Sequence, residues 1–463
     1  MNPTPDSFVP VNPLGPARLT SPPGPKGLPV LGSLLDLGSD VLGFFPKCAE
    51  RYGDVVAFRL GAWPALLLSN PDDVEYVFVD AHENFVKNRF FWRQVTAIFG
   101  KGIMTNEGED WLRHRRIAAP AFATRRVNDY ADTMVQLTSE MLDTWTPGDV
   151  RDAHAEMMSL TLRIAAKTLF DASVEEDVAA MDHALNDITS EITARFSRPF
   201  VIPDAVPLPG HVRYNRALRR IETIVTRIIA ERQQNPGDRG DFLSALMKAS
   251  YANGQPLPDK QLRDEAVTML LAGHETTALA LSWTLYLLGQ HSEIDVRLSA
   301  EVHAVLGSRP PAVEDLAKLT NTGEVITEAM RLYPPAWLIG RETVKDCVIG
   351  GYHVPAGTTV FVSPWILHRD PRVFDDPLSF RPGRWTPEFT RQLPRFAYMP
   401  FGGGPRICIG KSFALMEASL ILAALVQRYR FEWSGDRPIA PSPSITLRPK
   451  GGVPVRLHER QLL

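Results

Sequence analysis

The residue types most able to do chemistry in this chain lie in the loop 401–410, which reads Phe-Gly-Gly-Gly-Pro-Arg-Ile-Cys-Ile-Gly. Three consecutive glycines and a proline predict a tight loop that needs positive backbone angles or very close approach to something flat. An apolar helix should begin just after Gly410, so its N-terminal amides would point at Cys408 and favour the metal-binding thiolate form. Arg406 supplies a cation that can pair with a carboxylate of a cofactor.

Two other interpretations of this loop are open from the residues alone. A lone cysteine is more often a small buried apolar residue than a ligand. A glycine-rich loop before a helix is also typical of a phosphate-binding loop, and Gly410-Lys411-Ser412 resembles the end of one. That motif requires a glycine at position 405, where the chain has proline, so the spacing fails by one residue.

A second group of polar residues lies in the segment 272–277, whose flanks are apolar almost all round and predict a buried helix. Glycine costs about 1 kcal/mol relative to alanine in a helix, and an unpaired buried carboxylate costs more. Gly273, Glu275 and Thr276 therefore have little structural reason to occur together there. The structural alternative is a helix kink in which Thr276 bonds back to a carbonyl group and Glu275 reaches solvent.

Two further segments carry polar residues at helical spacing. Glu328 and Arg331, at positions i and i+3, share one helix face and can form an ion pair, although such pairs are common on ordinary surfaces. Trp111 and Arg115, at i and i+4, also face the same way and offer an indole N–H and a guanidinium.

The elements that must position these residues are mostly helices. The 463 residues are 44% hydrophobic and 22% charged, a globular composition with material for a large core. Apolar positions spaced three and four apart predict helices through most of 111–332 and again at 411–427. Alternating runs predict a small sheet at 55–60, 65–68 and 344–362. We therefore expect a mainly α protein with a minor β-sheet region: a flexible tail at 1–20 and a single domain at 21–463.

Bulk composition argues against several classes of function. Lys and Arg number 50 against 53 Asp and Glu, so the net charge of −3 gives no support for a nucleic-acid partner. Three cysteines are too few for a disulfide framework and fit no zinc site, which favours a reducing, cytoplasmic setting. The first 25 residues contain neither a membrane-spanning run nor a secretory signal, so we expect no membrane anchor. We also expect a monomer.

Together and in this order, these segments resemble the cytochrome P450 family. The cysteine framed by Phe401, Gly404, Arg406 and Gly410 is similar to the family's haem-binding loop, and the resemblance covers nearly the whole chain. It implies the cytochrome P450 fold, a large helical domain with a small β-rich lobe. It also implies that Cys408 is the axial thiolate ligand of the iron of haem b.

The resemblance implies further roles, residue by residue. Glu275 and Thr276 correspond to the acid–alcohol couple that guides protons, although many bacterial relatives have Asp at the acid position. The remaining correspondences are a haem-facing Ala272 and Phe401, a structural triad of Glu328, Arg331 and Arg384, and haem-propionate partners Trp111, Arg115, Arg341 and Arg406.

The activity implied is that of a monooxygenase, which inserts one atom of O2 into a C–H bond or a double bond. The sequence has no dinucleotide-binding fingerprint, and the short stretch after Cys408 leaves no room for a fused redox domain. Electrons are therefore expected from a separate ferredoxin with its reductase, or a flavodoxin, docking near Lys411 and Arg113 or Arg116, unless these arginines are simply a solvated face. Two alternatives keep the haem: a peroxide-using enzyme (oxygenase, isomerase or dehydratase), and a non-catalytic ligand-binding protein.

By the same resemblance, mostly apolar stretches line the pocket and favour a hydrophobic substrate such as a terpenoid, fatty acid, steroid or macrolide. The predicted lining residues are Phe90, Phe91, Phe99, Phe196, Met269, Ala336, Trp337, Leu338 and Ile445. Each aromatic residue among them is as readily explained by core packing.

Overall fold

Helices make up most of the structure, as the apolar periodicity predicts. The computed structural model describes residues 21–197, 206–235, 237–249 and 256–460, without the side chains of residues 90, 93, 94, 196 and 197. Its α-helices are α1 (Leu34–Ser39), α2 (Val41–Tyr52), α3 (Pro71–Glu75), α4 (Arg89–Phe99), α5 (Gly108–Ala118), α6 (Thr124–Asp129), α7 (Ala131–Leu142), α8 (Ala153–Phe170), α9 (Val178–Ser197), α10 (Pro209–Gln234), α11 (Phe242–Lys248), α12 (Asp259–Leu288), α13 (Ser292–Leu306), α14 (Thr320–Leu332), α15 (Pro364–Leu367), α16 (Pro387–Gln392) and α17 (Lys411–Arg428).

The strands form small sheets beside the helices. They are β1 (Val55–Leu60), β2 (Trp63–Leu68), β3 (Phe85–Lys87), β4 (Val150–Asp152), β5 (Ile339–Thr343), β6 (Cys347–Ile349), β7 (Tyr352–Val354), β8 (Thr359–Val362), β9 (Tyr429–Trp433), β10 (Pro441–Pro443), β11 (Leu447–Pro449) and β12 (Pro454–Glu459). The largest sheet has the order β1-β2-β8-β5-β3, with β2 and β8 parallel and the other neighbours antiparallel. Its register pairs Lys87 with Arg341, so two cations from distant parts of the chain meet at one edge.

Helix α12 runs through the centre of the core. Almost all its side chains from Leu262 to Leu271 and from Ala278 to Leu288 are buried, and apart from polar residues such as Asp264 and Glu265 most of them are apolar. Helices α8, α14 and α17 pack around it. The fully buried Trp283 stacks on Tyr333 with ring centroids 4.0 Å apart, which fixes α12 against the end of α14.

The prediction of a mainly helical protein with a minor sheet is confirmed. The strands expected at 55–60 and 65–68 correspond to β1 and β2, and the helix expected at 411–427 corresponds to α17. The proposed tail at 1–20 lies outside the described residues, so the domain boundaries stay predictions.

Candidate functional site

A cavity of about 370 Å³ lies between α12, the loop 400–410 and β5. Its volume is within the range of small-molecule sites, and its wall is mainly apolar. Met269 and Ala272 contribute from α12, Ala336 from the segment before β5, and Phe401 from the cysteine loop. The sulfur-bearing residue Cys408 also lines the cavity, so the structure brings the loop and the buried helix to opposite sides of one space.

The cysteine loop is shaped by glycine conformation and by a backbone hydrogen bond. Gly402 and Gly404 have φ angles of 68° and 65°. A Cβ atom at Gly404 would lie 1.8 Å from the carbonyl oxygen of Phe78, so only glycine fits there. The amide of Cys408 donates to the carbonyl oxygen of Phe401 at 3.0 Å, which closes the loop beside the cavity.

Cys408 differs from the other two cysteines in its exposure. Cys48 and Cys347 are buried, and burial raises the pKa of their thiols to about 11 and about 12, so both stay neutral. Cys408 is exposed, and it faces the cavity. Protein atoms around the sulfur nevertheless desolvate it and raise the pKa of its thiol, although a hydrogen bond from the Gly410 amide and the charge of Arg115 act in the opposite direction. The helix N-terminus thus favours the thiolate as expected, without outweighing this local desolvation; a bound metal ion would deprotonate the sulfur outright.

Four cations line one side of the cavity: Lys87, Arg115, Arg341 and Arg406. Among the lining residues within the described ranges, none is Asp or Glu. Glu107, just behind them, pairs with Arg406 and lies 3.8 Å from the Lys87 Nζ. Burial lowers the pKa of Lys87 to about 7 and that of Arg341 to about 10, and repulsion from Arg406 contributes to both shifts. The site therefore has a surplus of positive charge that a ligand with carboxylates would neutralise.

The predicted propionate partners meet at this surplus. The guanidinium of Arg406 lies 4.8 Å from the ring centroid of Trp111, and Arg115 Nη1 donates to the Ile407 carbonyl oxygen at 2.9 Å. Arg406 Nη1 is buried with no hydrogen-bond acceptor in the described part of the chain. A cation with an unused buried donor, next to a cysteine facing an apolar cavity, fits haem, which has two propionates on a flat apolar ring.

The α12 wall contributes one of the two predicted proton carriers. Ala272, Gly273 and Thr276 line the cavity, and Thr276 Oγ1 donates to the Ala272 carbonyl oxygen at 2.9 Å. A hydrogen bond from Thr276 back to a helix carbonyl is the purely structural explanation of this residue given by the sequence. Glu275 is not part of the lining: its carboxylate points away and accepts hydrogen bonds from Thr446 at 2.7 Å and Arg448 at 2.8 Å. The structure thus separates Thr276, at the cavity, from Glu275, on the far side of the helix.

The electrostatic surroundings of Glu275 keep it ionised. Burial by itself raises the pKa of this carboxyl, but the charge of Arg448 and the hydrogen bond from Thr446 outweigh burial and hold the pKa below its ordinary value. The alternative in which Glu275 reaches solvent therefore holds only in part: its side chain is 13% exposed, and its carboxylate also has an arginine partner.

The structure brings Glu328, Arg331 and Arg384 together in one buried cluster. Arg331 donates to Glu328 through Nε and Nη2, both at 2.8 Å, and Arg384 Nε donates at 3.0 Å. Both partners on α14 are fully buried. The indole of Trp385 and the amide of Arg381 add two more donors at 3.0 Å, so the carboxylate is fully paired.

The predicted pocket residues divide into three groups. Met269 and Ala336 line the cavity. Phe91, Phe99, Trp337, Leu338 and Ile445 lie outside its lining. Trp337 does not line the cavity because its buried indole points toward the Ser444 carbonyl oxygen, to which it donates a hydrogen bond. Phe99 does not line the cavity because it is buried in the core. The side chains of Phe90 and Phe196 lie outside the described residues. The lining contains other apolar side chains instead, among them Trp92, Ile103, Met104, Ile326 and Met330.

Three residues with a bearing on this site were missed from the sequence. Lys87 ends a three-residue strand and reaches the cavity through the pairing of β3 with β5. Arg448 lies far from Glu275 in sequence and carries no motif. Glu417 is fully buried on α17 against Thr277, and burial raises the pKa of this carboxyl well above its ordinary value. Of the three, Glu417 could have been found from the sequence, because a carboxylate inside a mostly apolar helix is costly unless it has a role.

Comparison with known proteins gives a consistent result. The family model described as Cytochrome P450 matches residues 22–454. Cyclooctatin synthase of Streptomyces melanosporofaciens is 37% identical over 91% of this chain and 92% of its own length, and cyclooctat-9-en-7-ol 5-monooxygenase of the same organism is 36% identical over 90% and 93%. The structure of retinoic acid bound cyanobacterial CYP120A1 is similar, with a TM-score of 0.84 and 30% identity over 96% of this chain and all of that one. Among the described helices, none is long and apolar enough to cross a membrane.

Proposed function

This chain is a monooxygenase of the cytochrome P450 family, and on that premise we propose that it oxidises a hydrophobic terpenoid with electrons from a separate protein. The observation that carries the proposal is the pairing of Cys408, exposed to an apolar cavity, with four cations that share a single nearby carboxylate, that of Glu107.

The residues assigned to haem binding have two roles, one toward the iron and one toward the propionates. Cys408 Sγ would hold the iron, while Lys87, Arg115, Arg341 and Arg406 would bind the propionates, with Trp111 beside Arg406. Haem b would supply the oxidising power when bound. Burial is the main cause of the lowered pKa of Lys87 and Arg341, and bound carboxylates would offset the repulsion from Arg406 that adds to it.

The proton route we propose runs along α12. Thr276 Oγ1 holds a proton at the cavity wall, and Glu275 supplies protons from the outer side of the same helix turn. When no acceptor is in the cavity, the Thr276 hydroxyl donates its hydrogen bond to the Ala272 carbonyl oxygen. The apolar wall excludes bulk water, so that protons enter through these residues rather than at random.

The proposed substrate class follows from the remaining wall. Its side chains are apolar, with Met269, Ile103, Met104 and Ile326 among them, and the cations belong to the side assigned to haem. A hydrophobic molecule of terpenoid type fits such a wall better than an acidic one. The relatives named for cyclooctatin and cyclooctat-9-en-7-ol support this choice over fatty acids, steroids and macrolides.

The electron donor is proposed to be a ferredoxin with its reductase, or a flavodoxin. Lys411 and Arg116 are exposed beside the cysteine loop, and Arg113 is partly exposed. A positive surface at this position attracts an acidic carrier, and the association rate should then fall as salt screens the charges.

The reduced, carbon-monoxide-bound absorption spectrum tests the sulfur assignment. The wild-type holoenzyme should give the strongly red-shifted Soret band of thiolate-bound haem, and Cys408→Ala should lose it while Cys347→Ala keeps it. Product formation from O2 with a terpenoid panel, against matched fatty acids and steroids, then tests the substrate class. A wild-type Soret band at the position of a histidine-bound haem would contradict the proposal, as would turnover confined to non-terpenoids.

A further inference from the structure

Arg448 connects three elements of the structure through one guanidinium. It lies on β11, and its Nε donates to Glu275 Oε1 on α12 at 2.8 Å, with Nη2 2.7 Å from the same oxygen. Its Nη1 donates to Asn186 Oδ1 on α9 at 2.8 Å. Arg448 itself is buried, so contacts with Glu275 and Asn186 replace the water that would otherwise solvate its charge.

The hairpin that carries Arg448 is fixed to the core. The buried indole of Trp283 donates to the Leu447 carbonyl oxygen, and that of Trp337 donates to the Ser444 carbonyl oxygen, both at 3.0 Å. The Leu447 amide donates to the Pro335 carbonyl oxygen, also at 3.0 Å. The position of the arginine backbone is therefore set mainly by α12 and the segment before β5, through backbone acceptors and donors that do not involve α9.

Helix α9 contacts this hairpin in a different way. Asn186 and Thr193 are both exposed side chains, and they reach Arg448 and Ser444 at 2.8 Å and 3.2 Å. Asn186 Nδ2 donates to Asp182 on its own helix at 3.2 Å, which leaves Oδ1 directed at the guanidinium. The orientation of Arg448 on its fixed hairpin thus depends on where α9 places one amide oxygen.

The carboxylate of Glu275 is held unevenly. Thr446 and Arg448 both bond Oε1, whereas Oε2 has no hydrogen-bond partner within the described residues. Oε2 is therefore the oxygen that remains for exchange of protons with water.

The other titratable or charged groups that face Glu275 come from several elements. They are His274 on α12 and His154 on α8, together with Arg448 on β11, and Asp182 on α9 acts on the two histidines. Burial lowers the pKa of both histidines, so they are neutral at neutral pH, and Arg448 is the cation that decides the charge of Glu275.

We propose that Arg448 is a positioning residue for proton delivery. It holds Glu275 ionised with Oε2 free, and Asn186 on α9 orients the Arg448 guanidinium by accepting its hydrogen bond. The proposal rests on the proposed function, because Arg448 acts on the proposed proton route through Glu275 and Thr276. In each delivery, Glu275 Oε2 takes a proton from water, passes it toward Thr276, and returns to the carboxylate that Arg448 stabilises. A displacement of α9 releases Nη1 and weakens this stabilisation, so the rate of delivery responds to the position of α9.

The test measures the protonation of Glu275 directly in the holoenzyme. Infrared difference spectra recorded over a pH titration report the protonated carboxyl band of this residue, which Glu275→Gln identifies by removing it. Arg448→Gln should raise the pKa of Glu275 by about one unit or more, because burial then acts without the compensating charge. Asn186→Ala and Arg448→Lys should each raise it by a smaller amount, since both keep a cation but lose the link to α9.

The matched control is Thr193→Val, which removes a hydrogen bond between α9 and the hairpin without touching Arg448. It should leave the Glu275 titration at its wild-type value. The solvent deuterium isotope effect on product formation should rise in Arg448→Gln and Asn186→Ala and stay unchanged in Thr193→Val.

Three results would overturn the proposal: unchanged titration in both Asn186→Ala and Arg448→Gln, shifted titration without any change in the isotope effect, or an equal shift in Thr193→Val. Asn186 is exposed, so its variant should fold even if Arg448→Gln does not. Failure of the proposed function is distinguishable, because a wild-type protein that gives no product from O2 would still yield the infrared titration.

Discussion

The two sides of the cavity are held in place by different kinds of contact. In the cluster with Arg331 and Arg384, Glu328 is fully buried and accepts five hydrogen bonds, from two arginine side chains, an indole and a backbone amide. Across the cavity, Glu275 keeps one oxygen without a partner in the described structure, and the arginine that holds it is itself held by an exposed amide.

This difference matches the roles proposed for the two carboxylates. A fully paired carboxylate in a dry site resists a change of charge, and Glu328 thereby holds α14 against residues 381–385. A carboxylate with an unpartnered oxygen can still take up a proton, although Arg448 holds the pKa of Glu275 below its ordinary value. The comparison predicts that mutations on the first side change stability, and mutations on the second side change the pH dependence of turnover.

The largest effect is expected from Glu328→Gln. The substitution leaves Arg331 and Arg384 buried without their charge partner, at a cost of about 3–5 kcal/mol in the free energy of unfolding. Denaturant unfolding of the holoenzyme measures it, together with the fraction of haem retained. Glu388→Gln is the matched control, because Glu388 and Arg391 form an exposed pair with the same spacing and should contribute less than about 1 kcal/mol. Similar losses in both variants would contradict the difference between the two sides.

Thr276→Ala tests the other side without disturbing the fold. The variant should bind haem and substrate normally and consume O2, but the product formed per electron should fall by about tenfold or more, because the hydroxyl at the cavity wall is gone. Thr276→Ser, which keeps the hydroxyl, should restore most of the coupling. If product and coupling are unchanged in the alanine variant, the proton route along α12 is wrong.

A smaller effect is expected from Lys87→Met at the cation cluster. Removing one of the four proposed propionate partners should speed the transfer of haem to an excess of apo-globin by roughly tenfold, the scale of losing one supporting contact at a metal site. Lys101→Met, at an exposed lysine nearby in sequence, is the control and should have no effect. Equal rates in the two variants would remove Lys87 from the haem site.

The smallest effect is expected from Thr446→Val. The lost hydroxyl donates to the ionised form of Glu275, so the pKa of this carboxyl should rise, by less than about one unit because Arg448 remains. Since a raised pKa keeps Glu275 protonated to higher pH, the acid limb of the pH profile for product formation should move upward. Thr446→Ser should retain the wild-type profile. A downward shift would contradict the assigned donor.

Predictions from the sequence were most accurate where the contacts are local. The strands at 55–60 and 65–68 and the helix after Gly410 follow from patterns within a few residues, and the structure has them at those positions. Of the residues predicted for the pocket, Met269 and Ala336 line the cavity, whereas Trp337 and Phe99 do not. Trp337 and Phe99 are apolar enough to line a cavity, but whether an aromatic side chain faces a cavity or the core depends on packing partners that periodicity does not contain.

The sequence by itself determined the chemistry of the site: one cysteine in a glycine-rich loop before a helix, and an acid and alcohol inside an apolar helix. These features are local, because glycine conformation and helical spacing act over a few residues. Only the tertiary structure decided which charges act on them. Strand pairing brings Lys87 beside Arg341, and a C-terminal hairpin brings Arg448 to Glu275. Electrostatic energies depend on distance and burial in space, and sequence separation specifies neither.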